Sequence, residues 1–267
     1  MARQPTIFVS HGGGPCFWIE FPPPFGPHAW DGLAAYLRSV AGRLPEPPKA
    51  ILMVSAHWEA PRPTVGTAGR PAMIYDYYGF PEHTYRLNYP APGSPELGAR
   101  VLALLDAAGI DAAADPTRGF DHGVFVPLLL MFPEAAIPVV PLSIRSDYDP
   151  AAHLALGAAL APLRDEGVLI VGSGLTYHNL RRFQDGDGRA AAAFDAWLTE
   201  AVTEPDPARR DAALARWETA PFAHEAHPQP DHLIPLMVAA GAAAADRGRS
   251  SFAEAIGGKA MSCFEFG

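Results

Sequence analysis

Four histidines stand where a strand pattern runs out or a helix pattern begins, and imidazoles that converge in this way read as a metal site. His11 follows Thr6-Ile7-Phe8-Val9-Ser10, His57 follows the apolar run from Ile51 to Ala56, His178 follows Val168 to Gly172, and His232 opens Leu233-Ile234-Pro235-Leu236-Met237. In an open α/β sheet, ligands collect outside the carboxyl ends of the strands, so residues that end three separate strands can meet although they lie far apart in the chain. A lone histidine is more often a hydrogen-bonded structural residue, and the reading therefore rests on the set. Only Cys16 and Cys263 are present, too few for a disulfide framework or a cysteine-based zinc ribbon. Nitrogen and oxygen must hold any metal.

His122, in Gly119-Phe120-Asp121-His122-Gly123, precedes an apolar helical stretch. If Asp121 caps that helix, His122 is left to face the same cleft. Three glycines follow His11 and let backbone come close to an ion or a substrate, but Gly12-Gly13-Gly14 and the expected turn Gly172-Ser173-Gly174 both lack the spacing of nucleotide loops. Nucleotide binding is rejected. His224-Glu225-Ala226-His227 lacks the i,i+4 spacing of a helical zinc motif and reads as a structural loop. His28, His83 and His153 have no companions at chemical spacing and read as surface or capping residues, with His83 also a candidate to line the cleft. No GxSxG elbow and no cysteine–histidine pairing supports a covalent nucleophile.

Strand-length apolar runs recur at 5–10, 49–55, 137–143, 168–172 and 261–266, and helical patterns fill about 29–43, 94–109, 123–132, 150–165, 188–203, 207–218 and 232–245. This alternation predicts an α/β fold, a three-layer α/β/α arrangement around a mixed, largely parallel sheet. Ser94-Pro95 and Gly109 punctuate one helix, whereas Pro162 falls inside another helical stretch. Residues 58–93 read as a long excursion carrying Tyr75, Tyr77, Tyr78, Phe80, Tyr85 and Tyr89. Its aromatics either stack on a substrate ring or form a small core beneath the loop. No composition shift marks a linker, so residues 1–267 are expected to form one domain.

The 20 Lys and Arg are scattered in a chain of net charge -9, which argues against nucleic acid as a partner. The longest apolar stretch, Leu233 to Ala245, contains Pro235 and falls short of the roughly 20 residues a bilayer span needs. With no signal-peptide pattern, the expectation is a cytoplasmic protein without membrane contact.

Read in order, Phe8 to Pro15, Val54 to Glu59, Tyr75 to Pro81, Tyr89 to Gly93, Gly119 to Gly123, His178-Asn179-Leu180-Arg181 and Asp231 to Leu236 form a set. On these seven blocks, which run nearly end to end, the chain resembles the class III extradiol ring-cleaving dioxygenases, in the branch that includes 4,5-DOPA dioxygenase. The resemblance implies a mononuclear non-haem Fe(II), expected for activity, with Zn(II) a plausible bound metal. It places His11, His57 and His232 at metal-ligand positions. His232 stands where another branch has a glutamate, so the set departs from the two-histidine, one-carboxylate triad. His178 falls at a position described either as a fourth ligand or as the catalytic acid/base, and His122 matches a second catalytic histidine. The implied reaction opens a catechol with O2 to a muconic semialdehyde, the two histidines moving protons. The competing readings are a zinc hydrolase on the same scaffold and a non-catalytic metal-binding protein. Residue patterns fix neither the particular catechol nor the oligomer.

Overall fold

The computed structural model describes residues 2–22 and 25–267; Met1, Pro23 and Pro24 lie outside the described residues. The strands are β1 Thr6–Ser10, β2 Ala50–Ala60, β3 Thr64–Gly66, β4 Ala113–Asp115, β5 Val139–Arg145, β6 Val168–Gly174, β7 Gly248–Ile256 and β8 Lys259–Phe266. The helices are α1 Asp31–Arg43, α2 Pro95–Ala107, α3 His122–Met131, α4 Pro150–Leu160, α5 Pro162–Asp165, α6 Arg189–Thr203, α7 Pro207–Leu214, α8 Ala223–Ala226 and α9 Ile234–Ala243. All the strands join one sheet in the order β4-β3-β5-β2-β6-β1-β8-β7.

The central strands β5, β2, β6 and β1 are mutually parallel, while β8 and β7 continue the sheet antiparallel and β3 meets β5 antiparallel. The expected mixed, largely parallel sheet is what forms. Every residue of β1 and β6 is buried, because helices cover both faces, and such strands read as unbroken apolar runs. Leu33 and Leu37 of α1 pack with Phe125 and Leu128 of α3 on one face. Val101 of α2, Leu156 of α4, Phe194 of α6 and Met237 of α9 pack on the other. Helix α9 is buried at all ten positions, as expected of a helix apolar all round. Among the described residues, no helix is long and apolar enough to cross a membrane.

Several expectations needed correction. Strand β2 runs on to Ala60, so His57 lies inside it; pairing with β6 stops at Ser55, and the register with β5 slips between Ser55 and Glu59. Gly172-Ser173-Gly174 is the end of β6, not a turn, since it pairs with both β1 and β2. The short strands β3 and β4 and the outer strand β7 were not foreseen. Exposed residues interrupt β7, although Gly257 and Gly258, with φ of 57° and 80°, make the tight turn to β8 that a Gly-Gly pair favours. Pro162 does break its helix, separating α4 from α5. His153 is fully buried rather than superficial: its Nδ1 donates to Asp149 O at 2.6 Å and its Nε2 accepts from Arg145 N at 2.9 Å.

The glycines that close β6 set the position of α9. A Cβ on Gly172 would stand 2.3 Å from Pro235 O, and one on Gly174 would stand 1.9 Å from His232 O. The chain entering α9 therefore lies directly on the strand, and Leu175 N donates to His232 O at 3.1 Å. Gly174→Ala should push this segment off the sheet and lower the unfolding free energy by about 1–3 kcal/mol. Gly42→Ala, on the exposed side of α1 with open space around it, should be neutral or stabilising by up to about 1 kcal/mol. Urea denaturation of the two variants measures both.

Candidate metal centre

His11 continues β1, its N–H donating to Gly174 O at 3.1 Å, and it is fully buried. His57 projects from β2 just past the point where that strand leaves β6. His232 is fixed by the contact of its carbonyl with β6. These three elements bring the Nε2 atoms of His57 and His11 to 3.1 Å and those of His232 and His57 to 3.2 Å.

The hydrogen bonds behind the rings decide which nitrogen faces inward. Ser173 Oγ donates to Gly123 O, so it accepts from His11 Nδ1 at 3.0 Å. Asp231 Oδ2 accepts from His232 Nδ1 at 2.7 Å, and Asp76 Oδ2 lies 3.5 Å from His57 Nδ1. With the protons on Nδ1, three Nε2 lone pairs point at one another. Neutral nitrogens so placed repel unless a cation lies between them. Donors held about 2.1 Å from one first-row ion would stand about 3.0–3.4 Å apart, and the observed spacing fits. Burial, reinforced by the neighbouring imidazoles, holds His11 and His57 well below the usual histidine range, and burial brings His232 down to about 4. The rings are therefore neutral, the form a metal needs.

Two further histidines stand beside this group. His122 begins α3; Asp76 Oδ1 accepts from its backbone N and from its Nδ1, both at 2.9 Å, and its ring centroid lies 3.8 Å from that of His57. His178 stacks on His232 with centroids 3.4 Å apart, and its Nδ1 lies 3.6 Å from Asp231 Oδ1. Burial works against ionising Asp231, but His178 and His232 hold its carboxyl far below the usual carboxylate range. The two carboxylates thus act alike, each facing one histidine of the inner trio and one outside it. All five imidazoles line a single cavity of about 380 Å³.

Residues 5–261 match the family described as the catalytic LigB subunit of aromatic ring-opening dioxygenase. The chain belongs to this family. It is 44% identical to a 4,5-DOPA dioxygenase extradiol of Beta vulgaris, over 94% of this chain and 90% of that one. It is 36% identical to a 4,5-DOPA dioxygenase extradiol of Escherichia coli K12, over 90% and 85%. A dioxygenase of Hapsidospora irregularis is 38% identical, over 91% and 79%. In three dimensions the chain is similar to the crystal structure of an uncharacterized protein from Escherichia coli K12, with a TM-score of 0.78 and 30% identity, covering 99% of this chain and all of that one.

For this ring-opening dioxygenase, the structure brings together His11, His57, His122, His178 and His232 and leaves the other histidines apart. Three donor atoms from His11, His57 and His232 lie within 4.8 Å of one another, whereas His178 groups with Asp231 and His232. His83 does not line the cavity; it bonds Trp18 O at 2.9 Å. His28 is exposed and pairs with Asp31. His227 follows the short helix α8 and is fully buried, its Nε2 donating to Thr176 O at 3.0 Å. Asp121 occupies the N-cap position of α3 but makes no side-chain cap; its carboxylate takes Ser55 Oγ and Arg118 Nη2, each at 2.6 Å. The excursion divides: Tyr77 and Phe80 line the cavity, Tyr89 is core and Tyr78 is exposed. Sequence reasoning missed Asp76 and Ser173 as orienting groups. The only local signal was that each lies within or beside a motif already singled out.

Burial lowers His227 to about 3 from an ordinary 6.5. Because the unfolded chain then binds a proton that the folded one refuses, His227 favours folding fully above about 6.5. That contribution is lost progressively as pH falls toward about 3. His227→Gln should flatten the fall in urea midpoint between pH values of about 7 and about 4.5. An unchanged slope would show that another group governs it.

Proposed function

We propose that this chain opens the ring of a catechol-type substrate with O2 beside the diol, giving a muconic semialdehyde, and that residues 1–267 act as one catalytic unit. The observation that carries the reading is the inward convergence of three Nε2 lone pairs in the lining of an aromatic cavity, with two more imidazoles beside them. His11, His57 and His232 would hold one metal ion. When bound, ferrous iron supplies the acidity that favours the catecholate and the electron transfer that a filled-shell zinc ion lacks.

The remaining chemistry belongs to His122 and His178. Asp76 fixes the His122 proton on Nδ1, leaving Nε2 to accept a proton from a diol hydroxyl. Asp231 faces His178 Nδ1 in the same sense, so His178 can hold a proton at Nε2 and return it as the ring opens. His178 shares a donor group with His232 and Asp231 but not with His11 or His57, which supports acid/base work over a fourth ligand. Tyr77 and Phe80 form part of the wall against which a planar ring would lie and from which water is displaced.

His57→Ala should lose most bound metal while its far-ultraviolet circular dichroism stays native-like; full stoichiometric metal would sink the ligand assignment. His122→Ala should keep its metal and lose turnover by about 10²–10⁴-fold. His178→Ala should behave likewise, whereas loss of its metal would make it a ligand. Protein stripped of metal and reloaded anaerobically with ferrous iron should consume oxygen on mixing with a catechol and turn yellow. The zinc-loaded form should stay silent.

A further inference from the structure

We propose that the ring this enzyme opens carries an uncharged, apolar substituent, selected by Phe21, Phe25, Trp30, Phe80 and Phe183. The proposal rests on the catechol reading above and adds the class of catechol. The five histidine rings are clustered in the lining, and aromatic side chains with Leu175 and Leu180 make most of the remaining side-chain wall, beside Gly12 to Gly14 and Gln184. Four of these aromatic rings are contiguous, while Phe80 packs on Tyr77 at 5.5 Å. Phe21 and Phe25 lie 5.9 Å apart, Phe21 and Trp30 6.4 Å, and Phe25 stacks on Phe183 at 5.6 Å with 18° between the ring planes. An apolar cavity of about 150 Å³ accommodates benzene, so a volume of about 380 Å³ holds a dihydroxyphenyl ring with space for a substituent of several heavy atoms.

Apart from its histidines, this lining offers no ionisable partner for a charged substituent. Among the described residues, no Asp, Glu, Lys or Arg lines the cavity; Gln184 is its only amide. Three of the nearby cations face other groups. Arg118 binds Asp121 and His57 O, Arg182 meets Asp185, Asp187 and Glu225, and Lys259 binds Asp185 and Asp187 O. Arg181 and Arg182 are absent from the lining and stand in an adjoining surface depression that shares His178 and Leu180 with the cavity. A substituent carboxylate would find no Lys or Arg in this lining. A substituent ammonium would find no Asp or Glu in it, since Asp76 and Asp231 stand behind the histidines they pair with. Burying either without a partner is costly, and each buried methylene is favourable. DOPA, which names several relatives, carries both charges on its side chain.

The test compares kcat/KM by oxygen uptake for catechol, 4-methylcatechol, 4-propylcatechol, dopamine, DOPA and protocatechuate, using the iron-loaded enzyme. From methyl to propyl the value should rise about fourfold per methylene. The three charged catechols should lie at least about 100-fold below propylcatechol. Anaerobic titration followed by tryptophan fluorescence should give the same order in Kd. Phe183→Arg should raise protocatechuate relative to propylcatechol by at least about tenfold, and Leu180→Arg, at an exposed position on the rim, gives the same comparison if the first variant does not fold. DOPA, dopamine or protocatechuate matching propylcatechol, or both arginine variants leaving the ratio unchanged, would overturn the proposal. Silence toward the whole panel, catechol included, would instead overturn the ring-cleavage reading beneath it.

Discussion

The site depends on keeping three neutral imidazoles with their lone pairs facing one another. Left to themselves, rings at 3.1–3.2 Å would rotate away or protonate. Acceptors behind the rings prevent the first and burial of the rings prevents the second. Ser173, Asp231 and Asp76 stand behind His11, His232 and His57, so each ring turns its basic nitrogen inward. Such outer partners orient ligands and tune their basicity.

That constraint accounts for much of the surrounding architecture. Ser173 can orient His11 only because β6 lies between β1 and β2 and remains regular to Gly174. His232 reaches the same point only because β6 ends in glycines that let the start of α9 lie on the strand. On the opposite face, α3 begins so close to β2 that a Cβ on Gly123 would stand 2.5 Å from Ser55 Oγ and 3.0 Å from His57 Cδ2. This approach brings His122 beside His57. Asp121 and Arg118 complete the junction, with burial pushing Asp121 up from the usual carboxylate range while Ser55 and Arg118 bind it.

The charges are arranged with the same economy of direction. Asp76 and Asp231 point toward histidines, and Arg118, Arg182 and Lys259 point toward carboxylates or carbonyls. What remains facing the interior is chiefly clustered imidazole and aromatic carbon along the wall. The site therefore combines a polar imidazole cluster with an apolar wall, an arrangement that orients a diol by one edge and leaves the rest of the ring to packing.

The histidines at the strand ends were legible in the sequence because buried parallel strands appear as continuous apolar runs, and a polar residue at the end of such a run stands out. The ordered motifs carried the family, and the alternation of elements carried the layered fold. Asp76, Ser173 and the pairing of each carboxylate with two histidines were decided only by tertiary structure, since those partners lie 46, 162 and 53 residues apart in cases such as Asp76–His122, His11–Ser173 and His178–Asp231. The same limit hid the continuation of β6, whose glycines resemble a turn until the weight of α9 upon them is seen. Local pattern reports which face of the chain is apolar; it carries no record of which distant hydrogen-bond acceptor that face will bring to a ring nitrogen.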